Sequence, residues 1–138
     1  MPRIDMADYW MGRDSQYRGE MTQVIQHEAM LLVNRANTLL DLMDGVTLDT
    51  LVNGSLVTSG WRPASVNLRT PNAAVRSKHM TGQAIDLYDP EGEIDDWCMA
   101  HLDKLEAVGL WLEHPSATKG WCHLQSVPPK SGKRVFYP

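Results

Sequence analysis

Cysteine is scarce. Cys98 and Cys122 are the only two in 138 residues, they stand far apart, and neither forms a CxxC or CxxCH arrangement, so neither a thiolate zinc site nor a c-type haem is indicated. Two buried free thiols are the expectation instead. Long apolar runs are missing too. None approaches the ~18–20 residues of a membrane span, and the opening stretch, Met1 to Asp8, has neither a signal-peptide core nor a transit-peptide charge pattern. Synthesis in the cytoplasm without a signal peptide, and no membrane partner, are therefore expected. Positive charge is in deficit, with 13 Lys and Arg against 17 Asp and Glu and a net charge of −4, the wrong sign for a nucleic-acid groove. No G-x-G-x-x-G follows a candidate strand, which leaves a parallel Rossmann-like sheet without support. Internal repeats and low-complexity segments are also absent.

What is present suits one domain. A chain of 15.5 kDa with 43% hydrophobic residues buries roughly two-thirds of its unfolded surface, enough for a core without disulfide staples. We expect a monomer with a single domain over residues 1–138.

Met21, Ile25, Leu32, Ala36, Leu39 and Met43 recur at helical spacing, which predicts a long helix from Met21 to Met43 stopped by Asp44-Gly45. Upstream, Asp8 to Gly19 has no clean period and reads as a short helix or irregular cover. Short apolar stretches predict a strand near Ser55–Ser59, and Pro63, Pro71 and Asn72 mark Arg62 to Arg76 as a long loop. Loops of that length in small domains are commonly functional. Gln83 to Tyr88 predicts a strand closed by Asp89-Pro90-Glu91-Gly92. Asp95 to Val108 predicts a helix ended by Gly109, and Leu110–Leu112 and Trp121–Gln125 are further strands flanking a turn at His114-Pro115-Ser116. The segment from Pro128 to Arg134 reads as an extended basic tail packed by Val135, Phe136 and Tyr137. Helices before and among short strands point to an α+β fold with a small, mainly antiparallel sheet.

Three side chains carry metal-binding chemistry: His79, Asp86 and His123. Two imidazoles and a carboxylate form a standard catalytic zinc set that leaves a fourth position for water. Gly82 lets the chain turn between His79 and the strand of Asp86, and period-two alternation puts Trp121, His123 and Gln125 on one strand face. An ionised Asp86 among Ala84, Ile85 and Leu87 is costly to bury unless a cation pairs with it. Taken singly, each has a plain structural explanation, as a hydrogen-bonded strand histidine or a turn-capping aspartate.

The combination is more specific. Ser77-x-His79-x-x-Gly82-x-Ala84-x-Asp86, preceded by Ser59-Gly60-Trp61-Arg62-Pro63 and followed by Trp121-x-His123, resembles the zinc peptidases that include D-Ala-D-Ala carboxypeptidases and L-Ala-D-Glu endolysins. A related fold occurs in the hedgehog signalling domain. The resemblance spans Ser59 to Gln125, about half of the chain. It implies a hedgehog/DD-peptidase-like fold, one Zn²⁺ held by His79, Asp86 and His123, and the peptidoglycan stem peptide as substrate. Arg62 takes the place of the family arginine, which holds a substrate carboxylate or polarises the scissile carbonyl, a task suited to its planar, permanently charged fork. Ser77 is implied to contact substrate or support a ligand, although a hydroxyl capping a loop amide explains it equally well. Trp61, Trp97, Trp111 and Trp121 are expected to fill the core, and Trp61 and Trp121, which adjoin Arg62 and His123, are also placed to wall the cleft and, for Trp121, to contact substrate.

One departure matters. Most of the family carries an acidic general base three positions before the last histidine, and that position here is Gly120. The nearest upstream acid is Glu113. If Leu110 to Glu113 pairs with Trp121 to Gln125, Glu113 reaches the site, and a carboxyl with a raised pKa suits the task. A solvated hairpin acid is the plain alternative, and His114 is a weaker candidate. The scissile bond, D-Ala-D-Ala or L-Ala-D-Glu, stays open at this point. Small size and the absent leader suggest a phage or prophage endolysin released through a holin lesion. A metal-stabilised binding module without catalysis is the competing expectation. His27 and His101 read as helix-surface residues, and Lys130, Lys133 and Arg134 as a solvated tail.

Overall fold

The computed structural model describes residues 3–138. Its scaffold is the long helix α3, Gln23–Leu42, whose N-terminus is capped by the Thr22 hydroxyl accepting from the Ile25 amide at 3.1 Å. Ala29, Leu32, Val33, Ala36, Leu39 and Leu40 form its buried stripe, at the spacing expected of a helix lying on a core. It ends at Met43, slightly before the predicted Asp44-Gly45 stop. Asn37 on the same face binds the preceding chain. Its Oδ1 accepts from the amides of Arg3 and Ile4, and its Nδ2 donates to the Ile4 carbonyl.

The remaining elements build an α+β fold with five strands in the order β1-β2-β4-β3-β5. The strands are β1 Val57–Ser59, β2 Ala84–Asp89, β3 Trp111–Glu113, β4 Gly120–Gln125 and β5 Val135–Phe136. All neighbours run antiparallel except β3 and β5, which are parallel. Ile85, Leu87, Leu112, Cys122 and Leu124 meet α3 in one apolar cluster. Cys98 and Cys122 are free and buried within it, as expected.

The Asp8 to Gly19 stretch takes the short-helix alternative, overlapping α1, Met6–Trp10, with its Asp5/Asp8 capping box, and holding α2, Arg13–Gln16. Other local features differ from the sequence expectation. The presumed loop after Arg62 opens with α4, Ala64–Arg69, entered from Pro63, whose fixed backbone suits the start of a helix. The predicted helix over 95–108 is two: α5, Glu93–Ala100, and α6, Leu102–Val108. They break at His101, whose ring Nδ1–H donates to the Trp97 carbonyl at 2.8 Å and competes with the helical amide for it. Finally, Arg134 is no solvated tail residue. It stacks 4.3 Å from the Trp111 ring and donates to the Leu110 carbonyl, which aligns β5 beside β3. Tyr137 is largely exposed, its ring stacked on His114 rather than packed into the core.

Among the tryptophans, Trp61 is fully buried and Trp10 joins it edge-on at 5.9 Å between ring centroids, while Trp97 packs against the core from its edge. Trp111 and Trp121 are half-buried, outside the expected core role. Among the described residues no helix is long and apolar enough to cross a membrane.

Candidate metal centre

Sheet register assembles the site. Ser59 lies opposite Asp86, and Asp86 lies opposite His123, in the β1-β2-β4 pairing. Leu112 pairs with Leu124, so continuing that antiparallel register sets Glu113 beside His123, and Glu113 in turn pairs with Phe136. One row across the sheet thus carries the carboxylate, the second imidazole and the acid.

His79 reaches this row from the turn before β2, and two glycines make its approach possible. Gly82 has φ +74°, and a Cβ there would sit 2.8 Å from the Ile25 carbonyl oxygen of α3. A Cβ on Gly60 would stand 1.9 Å from the Tyr9 carbonyl oxygen. Neither position tolerates a side chain without movement of backbone. Tyr9 closes the arrangement from behind, its carbonyl accepting from the Trp61 amide at 3.1 Å and its hydroxyl donating to the Ala84 carbonyl at 3.0 Å. Arg13 of α2 donates to the Trp61 carbonyl. The N-terminal helices are therefore a buttress behind the site.

His79, Asp86 and His123 bring one ligand atom each within 4.8 Å of one another, a group able to hold a metal ion. His79 Nε2 stands 3.2 Å from Asp86 Oδ2, and His123 Nδ1 stands 2.8 Å from Asp86 Oδ1. The outer ring nitrogens are engaged elsewhere. His79 Nδ1–H donates to the Gly60 carbonyl at 2.9 Å, and His123 Nε2–H donates to Gln125 Oε1 at 3.1 Å. That pattern suits metal-ligating histidines, which bond outward through the nitrogen not facing the metal. Donor types and outward bonds thus fit a borderline cation such as zinc.

Electrostatics follow the geometry. Burial alone would raise the Asp86 carboxyl, but the charges and hydrogen bonds of His79 and His123 outweigh it and hold Asp86 well below the usual carboxylate range. Burial disfavours a charged His123, yet the Asp86 bond and the charges of Asp86 and Glu113 raise it above an ordinary histidine. Burial also raises Glu113, opposed by the nearby His123.

A cavity of about 670 Å³ opens over the triad, with Arg62, Ser77, Glu113, Trp121 and Phe136 among its walls. The structure therefore brings Arg62, Ser77, Glu113 and Trp121 to the three candidate ligands. Arg62 Nε is buried without a hydrogen-bond partner among the described residues, while its backbone amide donates to the His79 carbonyl at 3.0 Å. Ser77 Oγ accepts from the His79 amide at 3.2 Å, so it caps the turn that delivers the ligand. Trp61 does not wall the cavity; its indole N–H donates to the Met80 carbonyl inside the core. His114 stacks on Tyr137 and pairs with Ser116, also outside the cavity. Gly120 is exposed with φ +97°, a backbone that L side chains rarely adopt. Two participants escaped sequence reasoning: Gln125, although its shared strand face with His123 was legible, and Phe136, edge-on to His123 at 6.0 Å.

No protein-family model, curated protein or solved structure matches this chain.

Proposed function

We propose that this chain is a zinc-dependent peptidase, with a hedgehog/DD-peptidase-type fold, that hydrolyses a bond of the peptidoglycan stem peptide. The observation that carries this reading is the meeting of His79, Asp86 and His123 with an acid, Glu113, and an unpaired guanidinium edge, Arg62, in one cavity. The motif resemblance over Ser59 to Gln125 supplies the substrate class, and both D-Ala-D-Ala and L-Ala-D-Glu cleavage remain within it. Endolysin action on the wall, after release through a holin lesion, is the biological setting proposed.

His79, Asp86 and His123 would hold the Zn²⁺, which would supply a Lewis acid and bring the pKa of water toward neutrality. Glu113 accepts the proton of the attacking water and returns it to the leaving amine, a role that its burial-raised pKa favours at neutral pH. Arg62 orients the peptide by a two-pronged bond to a carboxylate, or bonds the carbonyl oxygen as negative charge develops on it. Trp121 walls the cleft, and Ser77, also on its wall, keeps His79 in place.

A second reading has one observation in its favour. The exposed, left-handed Gly120 leaves the position of the usual family base without a carboxylate, as in a zinc-stabilised binding module. Glu113→Gln separates the two. On the peptidase reading the variant keeps its zinc and loses hydrolysis of synthetic stem peptides by about 10²-fold or more. A zinc-loaded wild type that cleaves neither peptides nor purified peptidoglycan supports the binding module.

A further inference from the structure

His123 has a tautomer problem. A neutral imidazole carries one proton, and the Asp86 carboxylate, 2.8 Å from Nδ1, draws that proton to the very nitrogen a cation needs. Something must hold the proton on Nε2 instead. Gln125 follows two residues later on β4, on the same face of the strand and 4% exposed. Its amide is oriented by a second bond, Nε2 donating to the Val127 carbonyl at 2.9 Å, which turns Oε1 toward His123 Nε2 at 3.1 Å. Flipping the amide would set its NH₂ against the ring N–H and lose the Val127 bond. An acceptor fixed in that position holds a proton on Nε2 and frees Nδ1 toward the cation.

We propose that Gln125 is a positioning residue of the metal centre, setting His123 as an Nδ1 ligand by opposing the pull of Asp86 on the ring proton. The Gly60 carbonyl does the same for His79 through backbone, at 2.9 Å, so Gln125 is the side-chain member of a matched pair. Being two residues from His123 and bonded onward to Val127, it ties ligand orientation to the chain leaving β4. This inference rests on the metal-centre reading above.

The test pairs zinc affinity with ring protonation. Zn²⁺ is titrated into the full chain against a chromophoric chelator, for wild type, Gln125→Leu and Gln125→Glu. Outer partners of ligating histidines contribute about 10–100-fold in affinity. Gln125→Leu is expected to lose that much, and Gln125→Glu, which retains an acceptor, to recover most of it. In parallel, long-range ¹H–¹⁵N spectra of the metal-free proteins, above the imidazolium range, report where the His123 proton sits. Wild type is expected to populate Nε2–H measurably against the charge-assisted pull of Asp86 on Nδ1, and Gln125→Leu to shift that population to Nδ1–H. Equal affinities within twofold, or an unchanged tautomer in a folded Gln125→Leu, overturn the proposal. If wild type holds the proton on Nε2 yet binds no zinc, the metal reading fails while the tautomer control stands. If Gln125→Leu fails to fold, the Gln125→Glu tautomer and affinity decide alone, loss of both overturning the assignment.

Discussion

Asp95→Asn should stabilise the protein at neutral pH and not in acid. Asp95 sits on α5 behind β4 at 3% exposure, with Oδ2 accepting from the Thr118 hydroxyl at 3.1 Å and Oδ1 lacking a hydrogen-bond partner among the described residues. Burial pushes its pKa from 3.8 up to about 6, more than the Cys122 thiol and the Thr118 hydroxyl draw it back, and Asp89 and Asp96 add to the rise. The sign follows from proton binding. Between pH 3.8 and about 6 the folded chain holds a proton that the unfolded chain has released, so stability falls as pH rises through this window. At about 1.4 kcal/mol per unit, the charged carboxyl costs on the order of 2–3 kcal/mol above pH 6. An asparagine reproduces the neutral form at every pH. Urea unfolding of both proteins with chelator present, at about pH 4.5 and 7.5, cancels every group they share. The variant's advantage should grow by about 1–2 kcal/mol between the two conditions. An advantage that is flat with pH, or that grows toward acid, would refute the assignment.

Two further outcomes follow from the buttress and the triad. Gly60→Ala drives a Cβ to within 1.9 Å of the Tyr9 carbonyl oxygen, so a thermal melt should show destabilisation of at least the 1–3 kcal/mol typical of overpacking, together with weakened zinc retention; a wild-type melting point would count against the Tyr9 contact. Zinc binding should release about one proton per ion in the range where metal-free His123 is charged, because the ion would displace the Nδ1 proton into solvent. Below the raised His123 value, affinity should fall about tenfold per pH unit, checked by calorimetry in buffers of differing ionisation enthalpy. The same raised value stabilises the metal-free chain below about pH 6.5 and loses that contribution as pH climbs through the folded value.

Much of this architecture was legible because its signals are local and periodic. The α3 stripe repeats over five turns, and β2 and β4 carry their ligands within strongly apolar or alternating segments. Gly60 and Gly82 were readable as motif positions, but their reason was not. They are bare because α1 and α3 pass against them, a contact between segments that sequence spacing does not contain. The approach of Glu113 to His123 depended on a strand register that could be posed as a condition and that β3-β4 pairing meets. Elements decided by a single side chain were missed. A histidine ring split α5 from α6, and Arg134 on Trp111 turned an assumed tail into the edge that aligns β5. Short α4 was hidden behind Pro63, which reads equally as a turn former and as the entry to a helix. Gln125 was visible on the right face, yet its role needed the amide's second bond to Val127.

The most direct measurement is digestion of purified peptidoglycan by the protein as isolated, after chelation, and after zinc is restored, with metal content measured on each sample and released fragments identified by mass spectrometry. The account predicts one zinc per chain and fragments from a single stem-peptide bond that disappear with the metal and return with it. A chain that binds no zinc, or that releases the same fragments after the metal is removed, would contradict it.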